Sequence, residues 1–481
     1  MAGENHASEV REVNTAGETD IGEGAGMREI PFVLFGATGD LAKKMLLPAL
    51  MTIFRDHETY RLKVVGVADT DYSVDGFRDY VAQVLVDSGH FEQKQIEAFV
   101  RDVHYVRGDY GSDPLYEELS KVVDADGEPI FYLAIPPRFF EVVVDRLEAV
   151  GFAECGRVMV EKPFGRDLAD ARHLSEVLTR AFRESQIYRI DHFLGKEAVQ
   201  NLLVFRFANS ILEPLWNRNY VSRIELNMLE DFGVEGRGAF YDSVGVLRDV
   251  VQNHLLQLLC LLLMEPPLSM NSESVALERV KVLASMEPLS LAESVLGQYR
   301  GYMNEPGVTP GSSTPTFVAV RVRLNSWRWA GVPVFIRAGK AVSETRTNAI
   351  IEFRSPPTLI FDSNDAHHQP EPNRLIFEFK PDDLIDLRMQ AKVPGPNLRS
   401  APVSLEVGRA GGPVKGEEPY AQLIDDVTRN DQSRFASEES VEAAWRVVSP
   451  LLDQPASLLY GAGTGGPREA DGLVSDFGGW C

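Results

Sequence analysis

Apolar and polar positions change their rhythm along this chain of 481 residues. Between residues 30 and 165 short, unbroken apolar runs occur at "IPFVLFG", "LKVVGVA", "PIFYLAIPP" and "RVMVEKPFG". Such runs read as strands buried on both faces. The stretches "DLAKKMLLPALMTIF", "PPRFFEVVVDRLEAVG" and "DLADARHLSEVLTRAF" carry apolar residues at helical spacing instead. The alternation predicts a parallel sheet with helices on both faces, spanning residues 29–189. Beyond it, a helical segment over 196–209 leads into "SRIELNMLED", a glycine turn and a buried helix around 250–263. Then come "TFVAVRVRL", "PVFIRAG", "NAIIEFR", "RLIFEFKP" and "IDLRMQAKV", strands joined by polar turns. They predict a large antiparallel sheet with helices on one face, so residues 190–481 read as an α+β unit following an α/β one.

Composition narrows the partners. A formal charge of −23 argues against nucleic acid or an anionic membrane, both of which need basic patches. An anionic ligand would require local Lys, Arg and His. Residues 1–28 are polar, acidic and dotted with glycine, and are expected to be a disordered tail without the apolar core of a signal peptide. "HLLQLLCLLLM" is about half the roughly 20 residues of a membrane span, which predicts a core helix. Cys155, Cys260 and Cys481 are too scattered for a disulfide framework or a zinc spacing, as expected of a cytoplasmic protein.

In "VLFGATGDLA" a strand runs through a glycine turn into a helix. Gly36, Thr38 and Gly39 let a dinucleotide pyrophosphate approach backbone N–H groups near Leu41, and Asp40 is expected to cap the helix. The turn departs from the G-x-G-x-x-G fingerprint and is a weak signal alone. It is accompanied, in order, by "YLAIPP", "EKPFG", "RIDHFLGKE", "VQNLLVFRFAN", "EGRGAFYDSVGVLRDVVQNHLLQ", "STPTFVAVRVRLNSWRWAGVPVFIRAGK" and "AWRVVSPLL". Together these stretches resemble the glucose-6-phosphate dehydrogenase family along nearly all of the chain after the tail.

The resemblance implies oxidation of glucose 6-phosphate at C1 to the 1,5-lactone, with hydride transfer to NAD or NADP. An imidazole, with an ordinary pKa of roughly 6.5, suits the base that takes the hydroxyl proton. The resemblance gives that role to His254, with Asp191 as its carboxylate partner; read alone, Asp191 is equally a helix N-cap. His192 and Lys196, four apart and so on one face if helical, are implied as the phosphate clasp. Lys162 is implied near C1 and the cofactor, Pro136 at the nicotinamide wall, Lys340 at the substrate end, and Glu230 and Asp249 at sugar hydroxyls. For Asp249 a salt bridge to Arg248 or Arg237 is the plain alternative, and for Glu230 an exposed acid at a strand end. No metal is required. A homodimer or homotetramer associating through the second sheet is implied by resemblance only.

Three positions depart from the family pattern. Met45 and Phe193 stand where a basic residue and a tyrosine are usual, and Asp69 where NADP users carry arginine. Losing a hydrogen bond to a charged group costs roughly 1.5–3 kcal/mol, so Phe193 weakens the phosphate site unless a neighbour compensates. Asp69, at the tip of the second strand, predicts that NAD is preferred over NADP. Another phosphorylated or amino hexose, or an inactive nucleotide- or sugar-binding homologue, are the competing readings.

Overall fold

The computed structural model describes residues 28–358, 370–381, 383–396, 398–408 and 419–481. The expected N-terminal tail lies outside them, except that Arg28 already opens the first strand. Six strands form the first sheet: β1 (Arg28–Phe35), β2 (Tyr60–Ala68), β3 (His104–Arg107), β4 (Ile130–Leu133), β5 (Arg157–Glu161) and β6 (Ile187–Ile190). All pairings are parallel, in the order β3-β2-β1-β4-β5-β6. The unbroken apolar run of β1 serves two cores, because alternate side chains face opposite sides of the sheet. Val33 and Phe35 join one cluster, and Ile30, Phe32 and Leu34 the other. β3 and β6 did not stand out in sequence; each has four residues, too few to show a period.

The second sheet has nine strands: β7 (Val221–Leu229), β8 (Ser294–Tyr299), β9 (Phe317–Val322), β10 (Val334–Gly339), β11 (Arg346–Phe353), β12 (Arg374–Lys380), β13 (Leu384–Lys392), β14 (Ser400–Gly408) and β15 (Leu458–Tyr460). It is mostly antiparallel, with two exceptions to the expected pattern. β7 pairs β10 in parallel, and β15 pairs β8 in parallel. Both need crossovers, which the intervening helices and the long C-terminal return supply.

The buried helix is longer than the sequence suggests. It runs from Gly238 to Leu263, breaks at Gly245 (φ 61°, ψ 175°), is π-helical over Leu247–Leu255 and ends as α-helix Leu256–Leu263. Its length and apolar content would suffice to cross a membrane, yet most of it is buried inside the protein, where Leu256–Leu263 packs into the core shared with the second sheet. Near the C-terminus the chain returns to the first sheet. Helix Pro419–Thr428 places Tyr420, Leu423, Ile424 and Val427 in the cluster formed by Leu46, Leu47 and Leu50. Tyr60 Oη donates to Asp425 Oδ1 at 2.7 Å, and Arg157 Nη1 to Val427 O at 2.7 Å, which fixes this return.

Candidate active site

The glycine turn sits where β1 and β4 diverge, the switch point at which open parallel sheets bind ligands. Gly36 has φ +78°, and a Cβ there would lie 2.3 Å from Ala134 O, so only glycine fits. Gly36 N and Ala37 N donate to Val67 O (2.9 and 3.3 Å), and Thr38 Oγ1 bonds Thr70 Oγ1 at 2.9 Å. Leu41 is half-buried behind the turn, and Pro136 follows β4 just after Ile135. A tight turn without side-chain bulk at a helix N-terminus fits a dinucleotide pyrophosphate. Asp40 is not the cap. Gly39 accepts the first helical bond, from Lys43 N (2.9 Å), which puts Asp40 inside the helix, where its exposed carboxylate pairs with Lys44 at 3.6 Å. An acid in the first turn still complements the helix dipole.

Asp69 follows the end of β2, is exposed and has no ion pair among the described residues. Arg107, not singled out from sequence, ends the neighbouring strand in register with Ala68 and is engaged by Asp71. Met45 is exposed in the helix after the turn.

Two strand ends build the reacting centre. Glu161 of β5 is in register with Ile190 of β6, so the next residues, Lys162 and Asp191, leave the sheet side by side. The buried helix brings His254 to them from the other side. His254 Nδ1 bonds Asp191 Oδ1, and Lys162 Nζ lies 2.8 Å from His254 Nε2. Lys162 also donates to Asp249 O at 2.9 Å and stands 3.9 Å from Asp249 Oδ1. Asp249 pairs with neither arginine proposed for it, since Arg248 binds Arg166 O and Asp453 instead. Trp445 of "AWRVVSPLL" donates to Phe164 O at 2.8 Å and so anchors the "EKPFG" loop.

Burial raises the Asp191 carboxyl, but the His254 ring and its hydrogen bond outweigh it and hold the group below the usual carboxylate range. Burial lowers the His254 pKa; Asp191 opposes this and the Lys162 ammonium adds to it, leaving the ring below 6.5. The resting pair is therefore an ionised Asp191 and a neutral His254 whose Nε2 lone pair faces Lys162. Glu161, missed in sequence, is buried, its pKa raised by burial to about 7, with Tyr132 Oη at 2.5 Å and Tyr420 beside it.

Asp191 does not cap a helix. Its Oδ1 accepts from Phe193 N (3.0 Å) in a turn, and the helix starts only at Glu197, with Lys196 at the capping position. His192 and Lys196 therefore do not share a helical face, because the chain turns between Asp191 and Lys196. The turns still gather them: the His192 ring lies 4.9 Å from that of His254 and stacks on Tyr420 at 6.1 Å, and Lys196 Nζ sits 4.3 Å above the Phe193 ring. Burial and the nearby cations lower the His192 pKa to about 3, so it is an uncharged donor.

A second pair of parallel strands repeats the device. Leu229 of β7 and Gly339 of β10 are register partners, and the following residues, Glu230 and Lys340, form an ion pair. Glu230 is thus not an isolated surface acid. Ala341, at φ 51°, donates to Phe232 O at 2.8 Å and holds the Lys340 corner in a conformation that non-glycine residues rarely adopt.

Two family models match the chain: "Glucose-6-phosphate dehydrogenase, NAD binding domain" over residues 33–201 and "Glucose-6-phosphate dehydrogenase, C-terminal domain" over residues 203–480. Glucose-6-phosphate 1-dehydrogenase 1 of Mycobacterium tuberculosis is 39% identical over 462 residues, covering 95% of this chain and 97% of its own. The cytoplasmic glucose-6-phosphate 1-dehydrogenase 5 of Arabidopsis thaliana is 36% identical, covering 98% and 94%. A solved structure of glucose-6-phosphate dehydrogenase in complex with its substrate glucose-6-phosphate superimposes with a TM-score of 0.86 at 34% identity, covering 95% of this chain and 98% of that one. With both halves matched and the fold shared from end to end, the chain belongs to the glucose-6-phosphate dehydrogenase family.

Proposed function

We propose that the chain oxidises D-glucose 6-phosphate at C1 to 6-phosphoglucono-1,5-lactone, as an NAD(P)-dependent dehydrogenase acting on a CH–OH group. The observation that carries this reading is the buried Asp191–His254 pair with Lys162 on the free ring nitrogen. Gly36, Thr38, Gly39 and Leu41 would hold the pyrophosphate of a nicotinamide dinucleotide, with Pro136 on the nicotinamide side, and that group would supply the acceptor for the hydride from C1. His254 Nε2 takes the C1 hydroxyl proton as C=O forms. Asp191 keeps the proton of the other nitrogen in place and stabilises the imidazolium. Lys162 now donates to the nitrogen that must receive the proton, so it cedes that place to the substrate and its ammonium steadies the developing negative charge on oxygen. His192 and Lys196 hold the phosphate, and the Glu230–Lys340 pair and Asp249 the sugar hydroxyls.

The finer readings are that NAD is preferred, that the chain is a homo-oligomer and that it is cytoplasmic. An exposed acid at the end of β2 supports the first, since the nearby Arg107 is taken up by Asp71. Exposed apolar residues on the edge pair of the second sheet support the second: Met389 opposes Val403, and Leu405 and Val407 continue the stripe. The relative named as cytoplasmic supports the third.

Four outcomes are expected. His254→Asn lowers kcat by about 10²- to 10⁴-fold with the KM for sugar little changed, and Asp191→Asn lowers it less; near-parental turnover of His254→Asn would sink the assignment. The acid limb of kcat/KM reports protonation of His254 in the free enzyme, so activity falls as pH drops through a value below 6.5. Removing the neighbouring cation in Lys162→Met raises the ring's pKa and moves that limb to higher pH; because the titration of the substrate phosphate is common to both proteins, an unmoved limb speaks against the contact. A carboxylate about 4 Å from a 2′-phosphate charge is disfavoured by about 4 kcal/mol at an effective dielectric of 20, before screening and movement. Comparing catalytic efficiencies should therefore favour NAD, and Asp69→Arg should move the ratio toward NADP; a parent favouring NADP contradicts the selector role. Leu405→Lys should lower the mass found by sedimentation velocity, and a monomeric parent excludes the sheet-edge interface.

A further inference from the structure

The phosphate end of the site has an unsettled charge balance. A phosphate monoester carries about −1.5 to −2 charges near neutrality. Of the cations around it, Lys340 is paired with Glu230, and Lys162 stands at the C1 end beside His254 and Asp249. His192, held neutral by burial, donates without charge. Phe193 has no hydroxyl to offer. That leaves Lys196 as the single free charge among the residues singled out from sequence.

The end of β12 brings another. Phe379 packs its ring 6.2 Å from that of Phe193, and the next residue, Lys380, is exposed at the strand end opposite Thr347. Its Nζ lies 5.8 Å from the centre of the Phe232 ring, which Lys340 also approaches, at 5.3 Å. Lys380 is thus joined by aromatic rings to both the phosphate clasp and the sugar end. No described acid forms an ion pair with Lys380. After burial, its charge is the largest influence lowering the Lys196 pKa, so the two ammonium groups feel each other. Among the described residues neither lysine forms an ion pair, Asp191 offsetting only part of the repulsion felt by Lys196, and an anion between the two would remove the rest.

We propose that Lys380 is a specificity-determining residue for the phosphate monoester of the substrate, supplying with Lys196 the second positive charge of the clasp and offsetting the hydroxyl that Phe193 lacks. The inference rests on the reading of the chain as a hexose-phosphate dehydrogenase. It explains how an uncharged histidine and a phenylalanine can line a site for a dianion: the charge comes from the far sheet, 184 residues beyond Lys196 by the numbering of the two lysines.

The test is the preference for glucose 6-phosphate over free glucose, measured as a ratio of kcat/KM, together with calorimetric titration of glucose 6-phosphate into the protein. Lys380→Met should raise the KM and Kd for glucose 6-phosphate by about tenfold, with kcat within about twofold, and lower the preference by the same factor. Lys380→Arg, which keeps the charge, should recover most of it. A Lys380→Met protein that retains the preference, or slows both sugars equally, overturns the role, as does a failure of Lys380→Arg to differ from Lys380→Met. A parent that shows no preference for the phosphorylated sugar fails at the underlying reading instead. Thermal midpoints of both variants, expected to match the parent because the side chain is exposed, separate loss of binding from loss of fold.

Discussion

A carboxylate buried to 1% exposure is tenable only beside its partner, and the contact between Asp191 and His254 is the one on which the arrangement of this protein turns. Removing an ion from water costs several kcal/mol in the absence of compensation. Asp191 Oδ1 is compensated twice, by the imidazole and by Phe193 N at 3.0 Å, while Oδ2 has no hydrogen-bond partner among the described residues. The imidazole arrives on the long buried helix, so the parallel sheet and the helix layer of the second sheet must stay in register with one another. Helix Pro419–Thr428 and Trp445 fasten that arrangement from the far end of the chain, onto the first sheet and onto the loop carrying Lys162.

The site is addressed by strand register. Parallel neighbours end together, so the residues that follow them are delivered side by side even when more than a hundred positions separate them in the chain. Lys162 and Asp191 follow β5 and β6, and Glu230 and Lys340 follow β7 and β10. A cation and an anion leave each pair of strands. At β2 and β3 Arg107 is the register partner of Ala68, so Asp69 stands one position beyond it.

How much of this was legible in the sequence follows from the same geometry. Long apolar runs such as 30–36 and 62–68 exposed their strands because both faces are buried. β6 was not legible, being four residues that include Arg189, so the place of Asp191 rested on resemblance alone. The helical spacing of His192 and Lys196 misled, because the turn made by Asp191 competes locally with helix. Asp40 was placed one position too early relative to the helix start. Glu161, Tyr420 and Lys380 carry no local signal at all; their meaning comes from contacts that no spacing records.

The π-helical stretch Leu247–Leu255 sets a phase relation between the base and the core. Each wide turn holds one residue more than an α-turn, and one residue corresponds to about 100° of rotation. Upstream of it the break at Gly245 fixes the entry of the helix; downstream, Leu256–Leu263 is locked into the interior on every side. His254 lies between these fixed ends and cannot rotate independently of either. Deleting a single residue here would restore α-helical bonding and turn the imidazole away from Asp191 and Lys162, so the position of the base depends on the length of this segment as much as on its side chains.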